Sequence, residues 1–485
     1  MKASILGIMS VKSASSIVLI MLFAISMVSF VQPVAASSGS SAGDWTTYLN
    51  GISRSGFNSA ETSITATTAS SLELMWSVQS TGCTGSPADS PTVISNQPIV
   101  VNELGSVFWG SWDGCEHATS LSGAPIWATY IGENNAPNCD PSPVGVASTA
   151  TYAIIDGGQT PVVLVGGGNA NFYALNAETG AVVWETSLGT PPNVFIWSSP
   201  ALYDGSVYIG VSSFGDCPLV QGKLVQLNAN TGAVQHVFDV VPNGCVGGSI
   251  WSSPTINSAA GTIYVTTGNG GKCNKAEPYG YAIVELSAST LAVLGHWQVP
   301  KSQRVGDSDF GSSPTLFQAK VGGITKEYVG ASNKNGFYYA WEQGDLGAGP
   351  VWKLRVATGG SCPQCGGGSI SPSAWDGSSV YAAGGNTAIN SVSCQGSLRS
   401  LNPATGKPNW NLCVAGGPVL GPVTGVPGVL VIGAGTELMA VSSATGAILW
   451  SFTTGGSVFY GGASISDGVL YIGDTGGNLY AFAPS

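Results

Sequence analysis

Short segments of alternating apolar and polar residues recur along this chain, each four to six residues long and separated by glycine-containing turns. A two-residue period is typical of β-strands with one buried face. One unit repeats: two strands joined by a Gly turn, then a short apolar strand, an Asn/Thr-Gly turn and a Trp. The clearest copies of its second half are NFYALNAETGAVVW (171–184), GKLVQLNANTGAVQHVF (222–238), GSLRSLNPATGKPNW (396–410) and TELMAVSSATGAILW (436–450). The pattern predicts antiparallel meanders.

Three less regular copies and one split copy complete the series. The less regular copies lie at 106–127, 280–297 and 336–352. The split copy has GGNLYAF (476–482) near the end of the sequence and LELMWSV (72–78) near its beginning. Eight four-stranded units at this spacing favour an all-β, eight-bladed β-propeller, with seven blades as the alternative count. Pairing the two parts of the split copy would close the ring and remove an exposed sheet edge.

Composition agrees with an all-β protein and excludes one class of partner. The chain has 485 residues, of which 69 are glycine and only 8% are charged, and this composition argues against a helical protein. The net charge is −11 with 15 Lys+Arg, so no nucleic-acid partner is expected.

The N-terminus predicts export. Lys2 and Lys12 precede the apolar run at 16–31, and small residues at Val34 and Ala36 fit a cleavage site. We predict a signal peptide at 1–36, a lead-in segment at 37–71 and the propeller at 72–485, in a secreted, periplasmic or cell-surface protein. An uncleaved N-terminal membrane anchor is the alternative.

Cysteine usage is consistent with an exported protein. All ten cysteines lie after residue 80, and an even count in an exported protein predicts disulfides. In SCPQCGGG (361–368) no His follows the second Cys, so this is not a haem attachment site, and a local Cys362–Cys365 disulfide is expected. The pairing of the other cysteines cannot be read from the sequence.

The Thr-Gly-x-x-x-Trp pattern, with Trp184, Trp410 and Trp450 at matching places, resembles the tryptophan docking motif of pyrroloquinoline-quinone (PQQ) propellers. The segment DWTTYLNGISRSGFN (44–58) resembles their lead-in. The motif order CVGGSIW, TTGN, DSDFGSSPTLF and NKNGFYYA is similar to that of polyvinyl-alcohol dehydrogenase-like quinoproteins. The resemblance implies tryptophans packed between blades, and oxidation of an alcohol, including a polymeric one, with PQQ and Ca²⁺. No CxxCH occurs in the chain, so a separate acceptor such as a cytochrome or copper protein would take the electrons.

The same resemblance assigns candidate metal and base residues. Asn269 in TTGN corresponds to a Ca²⁺ ligand, and in GDSDFGSSP (306–314) Asp307 corresponds to the base and a metal ligand, with Asp309 as a further ligand. Side chains two residues apart on an extended segment point the same way, so both carboxylates could face one cation. Taken alone, Asn269 and the Asp pair are also typical of turns.

Cofactor contacts are expected from two further segments. Lys334 in NKNGFYY corresponds to the lysine that hydrogen-bonds the quinone, with a solvated turn lysine as the alternative. Trp251 corresponds to the tryptophan on which the quinone stacks, although Trp197 holds the same repeat position one blade earlier, which would suit a structural role.

Three departures from the family pattern keep a non-enzymatic binding or assembly scaffold open as the alternative function. Where a Glu metal ligand is expected, only Asp216 offers a carboxylate. A vicinal Cys pair is reduced to Cys139, and the Arg expected shortly after it is missing.

Overall fold

A computed structural model of the chain describes residues 43–271 and 273–485. In these ranges it has 35 β-strands, six 3₁₀ helices of three residues and no α-helix. The strands form eight antiparallel blades and one small hairpin. The prediction of an all-β propeller with eight blades is confirmed, and the alternative count of seven is wrong.

Each of the first four blades is a meander of consecutive strands. Blade 1 comprises β2 (Ile99–Val101), β3 (Ser106–Gly110), β4 (Cys115–Ser120) and β5 (Pro125–Tyr130). Blade 2 comprises β6 (Thr151–Ile155), β7 (Thr160–Gly166), β8 (Asn171–Asn176) and β9 (Val182–Ser187). Blade 3 comprises β11 (Ala201–Tyr203), β12 (Ser206–Ser213), β13 (Lys223–Asn228) and β14 (Val234–Asp239), with the added β10 (Val194–Phe195). Blade 4 comprises β15 (Thr255–Asn257), β16 (Thr262–Thr266), β17 (Ala282–Ser287) and β18 (Val293–Gln298).

The second half of the chain supplies three more blades and most of the eighth. Blade 5 comprises β19 (Thr315–Val321), β20 (Ile324–Ser332), β21 (Phe337–Glu342) and β22 (Trp352–Arg355). Blade 6 comprises β23 (Ala374–Trp375), β24 (Val380–Gly384), β27 (Gly396–Leu401) and β28 (Pro408–Val414), with a hairpin of β25 (Thr387–Ile389) and β26 (Val392–Cys394). Blade 7 comprises β29 (Thr424–Val426), β30 (Val429–Ala434), β31 (Glu437–Ser442) and β32 (Ile448–Thr453). Blade 8 comprises β33 (Ser464–Ser466), β34 (Val469–Gly473), β35 (Asn478–Pro484) and β1 (Leu72–Gln79).

The six 3₁₀ helices lie outside the strands and span Tyr48–Asn50, Ala69–Ser71, Asn102–Leu104, Lys301–Gln303, Leu346–Ala348 and Pro363–Cys365. Among the residues described, no helix has both the length and the apolar character needed to cross a bilayer. The predicted signal peptide at 1–36 lies outside the described residues.

The core lies between neighbouring blades. Strands in the middle of a blade, such as β16, are buried along their whole length, whereas last strands such as β5 contain only exposed and half-buried residues. One apolar cluster, for example, joins residues of blade 2 to residues of blade 3. Middle strands therefore read as continuous apolar runs because both of their faces are covered.

Tryptophans fix the spacing between blades. The indole Nε1 of Trp184 in blade 2 donates to the carbonyl of Ala229 in blade 3 at 3.2 Å, and Trp410 in blade 6 donates to Ser443 in blade 7 at 2.9 Å. The Thr-Gly turn of the next blade passes under each indole, and there Gly232 has a φ of 70°. A Cβ at this glycine would be 2.5 Å from the Trp184 ring, so the turn requires glycine for space as well as for φ. Trp450 packs edge-on against Phe482 of blade 8 at 5.1 Å.

Two features close the ring. The predicted pairing of the N- and C-terminal strands is confirmed, because β1 pairs antiparallel with β35 from Leu72↔Pro484 to Gln79↔Asn478. In addition, residues 44–58 of the lead-in run past the first strand of each blade and hydrogen-bond to all eight. Their partners in blades 1 to 8 are Val100, Tyr152, Pro200, Ile256, Leu316, Trp375, Gly425 and Ile465.

Blade 3 is reached by a side chain. The fully buried Arg54 guanidinium donates to the carbonyl oxygens of Pro200 at 2.8 Å, Pro254 at 3.0 Å and Tyr48 at 2.6 Å. Because these acceptors belong to blade 3, blade 4 and the lead-in itself, one arginine joins three parts of the chain.

Candidate active site

A cavity of about 740 Å³ lies where the eight blades meet. The segment before the first strand of every blade contributes to its wall, and Tyr48 of the lead-in contributes as well. This volume is within the range of roughly 300–1,000 Å³ typical of small-molecule sites. Of the candidate site residues predicted from the sequence, Asp216, Trp251, Asp309 and Lys334 line it, whereas Asp307 and Asn269 are not among the lining residues. Trp197, the repeat counterpart of Trp251, also lines the cavity.

The Asp307–Asp309 segment enters blade 5 just before β19. Ser308 fixes its backbone, since its hydroxyl accepts a hydrogen bond from the Val305 N–H at 2.7 Å and its carbonyl accepts one from Asn333 Nδ2 at 2.8 Å. The Lys334 N–H donates to the carbonyl of Asp309 at 3.1 Å. The turn between β20 and β21 therefore holds the segment from the other side and brings Lys334 to the two carboxylates.

Lys334 bridges the carboxylate pair. Its Nζ lies 2.7 Å from Asp307 Oδ2 and 3.5 Å from Asp309 Oδ2. Lys334 and Asp309 are only 9% and 8% exposed, so little water screens the three charges. This arrangement differs from the solvated turn lysine that was the alternative for Lys334.

Burial and mutual charge set the protonation of the cluster. Burial alone would raise the pKa of Asp307, but the charge and hydrogen bond of Lys334, together with the Asn269 amide, outweigh it and lower that pKa. Burial raises the pKa of Asp309 to about 7, with the Asp307 charge adding to the rise and Lys334 opposing it. Burial would lower the pKa of Lys334, but the two carboxylates raise it. At neutral pH, Asp307 is thus an ionised carboxylate able to accept a proton.

Asn269 follows β16 and joins the same cluster. Its Nδ2 donates to Asp307 Oδ1 at 2.7 Å. Its Oδ1 is buried without a hydrogen-bond partner in the described structure, and so is Asp309 Oδ1. Buried oxygens without a donor are costly, and oxygen ligands of this kind suit a hard divalent cation. The donor set therefore fits Ca²⁺, with Asn269 and Asp309 offering oxygens that no other group uses.

Asp216 is on the loop between β12 and β13 and is more exposed than the other acids. Burial and the Asp307 charge raise its pKa, while Lys334 and a hydrogen bond from Asn269 lower it. A disulfide between Cys217 and Cys139 ties the loop to the segment that connects blades 1 and 2. Between Phe214 and Val220 the described structure has no backbone–backbone hydrogen bond, so this disulfide is the main tether beside Asp216.

Trp251 differs from its repeat twin. Its ring lies 5.2 Å from Lys334 Nζ, and its Nε1 is buried without a partner. Any side chain at Gly311 would overlap this ring. Trp197, by contrast, donates Nε1 to the Phe214 carbonyl at 3.0 Å and packs against Phe195. Repeat position alone therefore does not make these two residues equivalent.

The cysteines form five disulfides in the described residues. The predicted local bridge Cys362–Cys365 is confirmed, and its loop borders the cavity through Ser361, Pro363 and Gln364. The Cys139–Cys217 pair could not be found from sequence, because its members are 78 residues apart with no pattern linking them. Sequence reasoning also missed Trp112, a third tryptophan of the cavity wall. Trp112 follows β3 of blade 1, whereas Trp197 and Trp251 precede the first strands of their blades, so the repeat pattern did not point to it.

The fold and the cavity thus define a closed propeller with a polar, charged site at the meeting point of its blades. The family model described as "Outer membrane protein assembly factor BamB" (PQQ_2) matches residues 117–353 and 340–485. These spans cover more than half of the chain, and the protein belongs to this PQQ-repeat family, as the motifs predicted.

Individual relatives are more distant. A polyvinylalcohol dehydrogenase of a Pseudomonas species is 24% identical over 493 residues, covering 88% of this chain and 72% of that protein. A second, from Sphingopyxis sp. (strain 113P3), is 25% identical over 377 residues, and the match spans 62% of this chain and only 55% of that protein. The crystal structure of quinohemoprotein alcohol dehydrogenase from Comamonas testosteroni superimposes with a TM-score of 0.70 at 20% identity, covering 91% of this chain and 80% of that one. That likeness shows the fold.

Proposed function

We propose that the protein is a quinoprotein oxidoreductase that oxidises an alcohol with PQQ and a divalent cation such as Ca²⁺. The observation that carries the proposal is the contact cluster of Asp307, Asp309, Asn269 and Lys334 beside the face of Trp251. Asp309, Lys334 and Trp251 bring this cluster to the wall of the cavity. Relatives named as alcohol dehydrogenases support the same chemistry.

The residues divide into a base, a cation donor and a metal set. Asp307 is the proposed base, because it is ionised and can take the hydroxyl proton of the alcohol. Lys334 would donate a hydrogen bond to the quinone oxygen on which negative charge develops. The oxygens of Asn269, Asp307, Asp309 and Asp216 would hold the cation, and Trp251 would support the quinone ring. When bound, PQQ would supply an acceptor for hydride from the alcohol carbon, and the cation would supply a Lewis acid that polarises the quinone carbonyl.

The proposal extends to substrate and compartment. A polymeric alcohol is the proposed substrate class, supported by two relatives named as polyvinylalcohol dehydrogenases. The electrons would leave to a separate protein acceptor, since the chain contains no haem-attachment motif. Export to an oxidising compartment is proposed from the N-terminal sequence and is supported by five disulfides.

A binding or assembly scaffold is the second candidate, because the matching family model is described as an assembly factor. A binding scaffold does not require two carboxylates and an ammonium group clustered beside a cavity, because burial makes each charge costly. The scaffold therefore accounts for the fold but gives no reason for the charged cluster.

Reconstitution tests the proposal. The protein is titrated with PQQ and Ca²⁺, following quinone absorbance and dye-linked alcohol oxidation. No binding at micromolar PQQ would refute the enzyme hypothesis and favour the scaffold. If PQQ binds, Asp307→Asn should lower turnover by about 10²–10⁴-fold while the quinone stays bound, because asparagine keeps an oxygen for the cation but cannot take up the hydroxyl proton. Asp345→Asn, an exposed position in blade 5, is the control, and retained activity in Asp307→Asn would refute the assignment of the base.

A further inference from the structure

Four cationic side chains gather beside the site on a protein that is otherwise acidic. The chain carries a net charge of −11 and 15 Lys+Arg. Lys301 and Arg304 lie on and just after the 3₁₀ helix Lys301–Gln303, and Lys353 and Arg355 lie on β22. Lys353 Nζ donates to Gln303 Oε1 at 2.8 Å, which joins the two pairs into one surface. We refer to these four residues as the basic patch.

The positive charge of the basic patch is not neutralised by ion pairs with carboxylates of the same chain. None of its four members forms an ion pair in the part of the chain that the structure describes. Three of them lie over aromatic rings instead: Arg304 over Tyr281 at 4.1 Å, and Lys353 and Arg355 over Phe337 at 4.8 Å and 4.3 Å. Ring faces orient cations without cancelling their charge, so the patch keeps a local positive potential.

The basic patch is structurally continuous with the proposed site. The carbonyl of Gln303 accepts a hydrogen bond from Asn335 Nδ2 at 3.2 Å, and Asn335 directly follows Lys334. On the same segment, Lys301 and Arg304 precede Asp307 by six and three residues. Asp307 itself keeps a side-chain exposure of 20%, so the cluster reaches toward solvent. A partner bound on the patch would therefore sit close to the site.

We infer that the basic patch is the docking surface for an acidic redox protein that takes electrons from the site. The inference rests on the proposed function, since only a reduced cofactor would supply electrons. Each catalytic cycle would release two electrons, accepted one at a time by oxidised partner molecules, with the protons passing to solvent. Complexes between electron-transfer proteins typically have small interfaces, and opposite charges on the two partners raise the rate of association.

The test uses two charge-reversed variants. Lys301→Glu/Arg355→Glu reverses two patch residues and leaves Lys353 bonded to Gln303. Lys320→Glu/Lys407→Glu makes the same net change at exposed lysines of β19 and the blade 6 turn. An acidic plastocyanin is the probe, and a basic mitochondrial cytochrome c is its counterpart. Binding to the full chain is measured by surface plasmon resonance at several salt concentrations, and reoxidation of the alcohol-reduced, PQQ- and Ca²⁺-loaded protein is followed by stopped flow.

For the wild type and the Lys320/Lys407 variant we expect plastocyanin binding and reoxidation that weaken as salt rises. The Lys301/Arg355 variant should lose at least about tenfold in both and most of the salt dependence, because the steering charge is reversed. Equal losses in both variants would assign the effect to net charge and overturn the inference, as would binding without reoxidation. If alcohol fails to reduce the quinone, the proposed function fails, whereas the binding measurement still decides whether the patch recognises an acidic protein.

Discussion

Replacing Lys334 with methionine keeps most of the length of the unbranched side chain and removes its charge. In the described residues Lys334 is the one cation within 4 Å of Asp307 and Asp309, at 2.7 Å and 3.5 Å. Removing one partner of a buried ion pair leaves a buried charge uncompensated, at a cost of roughly 3–5 kcal/mol. We expect the free energy of unfolding of the metal-free protein at neutral pH to fall by about this amount.

The chain provides a matched control. Lys326 lies 2.7 Å from Glu342, the same distance as in the Lys334–Asp307 pair, but the side chains are 37% and 35% exposed rather than 11% and 20%. Because water screens an exposed pair, Lys326→Met should change stability little. Denaturant unfolding with the disulfides intact, followed by tryptophan fluorescence, measures both variants. Equal losses of stability would refute the argument that burial makes the Lys334 pair important.

Calcium distinguishes a metal site from a purely structural ion pair. With Lys334 absent, a bound divalent cation would supply the missing positive charge to the carboxylates. Calcium should therefore stabilise Lys334→Met more than it stabilises the wild type, because any ligand that binds only the folded state adds to its stability. No stabilisation of either protein by millimolar Ca²⁺ would contradict the proposed metal set.

Two further predictions concern other parts of the molecule. The double variant Cys139→Ser/Cys217→Ser should bind Tb³⁺ at least about tenfold more weakly, because Asp216 loses its tether; sensitised Tb³⁺ luminescence measures this, and Cys394→Ser/Cys413→Ser, which should bind normally, is the control. Burial lowers the pKa of His117 to about 4, against the opposing charge of Asp113. The unfolded chain therefore takes up this proton first, and stability falls as pH drops from about 6.5 to about 4, by roughly 3 kcal/mol. His117→Gln should lose this part of the pH dependence and the exposed His236→Gln should keep it; identical profiles for the two variants would disprove the assignment.

The repeat made most of the fold predictable. The Thr-Gly turn and the tryptophan are local signals with a physical cause, since the glycine gives room to an indole of the preceding blade. The split copy predicted the pairing of β1 with β35 because an unpaired strand edge is unfavourable. In blade 3, however, His236 stands near the place of the tryptophan, and such replacements weaken the sequence signal without changing the strand order.

The candidate site was predictable only in part. Asp307, Asp309, Asn269 and Lys334 were predicted as site residues from motif order, and in the structure they contact one another. The Cys139–Cys217 disulfide beside Asp216 could not be predicted, because disulfide pairing depends on how blades 2 and 3 approach one another. The path of residues 44–58 could not be predicted either, since six of its eight blade contacts join backbone groups, which carry no side-chain signature.

The pairing of β1 with β35 also has a consequence for synthesis. Gln79 cannot pair with Asn478 until the ribosome has added roughly 400 further residues, which takes roughly 20–80 s at ribosomal rates. Throughout that time seven blades can form while β1, which includes the apolar Leu74 and Met75, has an unpaired edge. Such an edge can pair with other chains. Mutations that weaken the last blade should therefore reduce the yield of folded protein before they measurably lower its melting temperature.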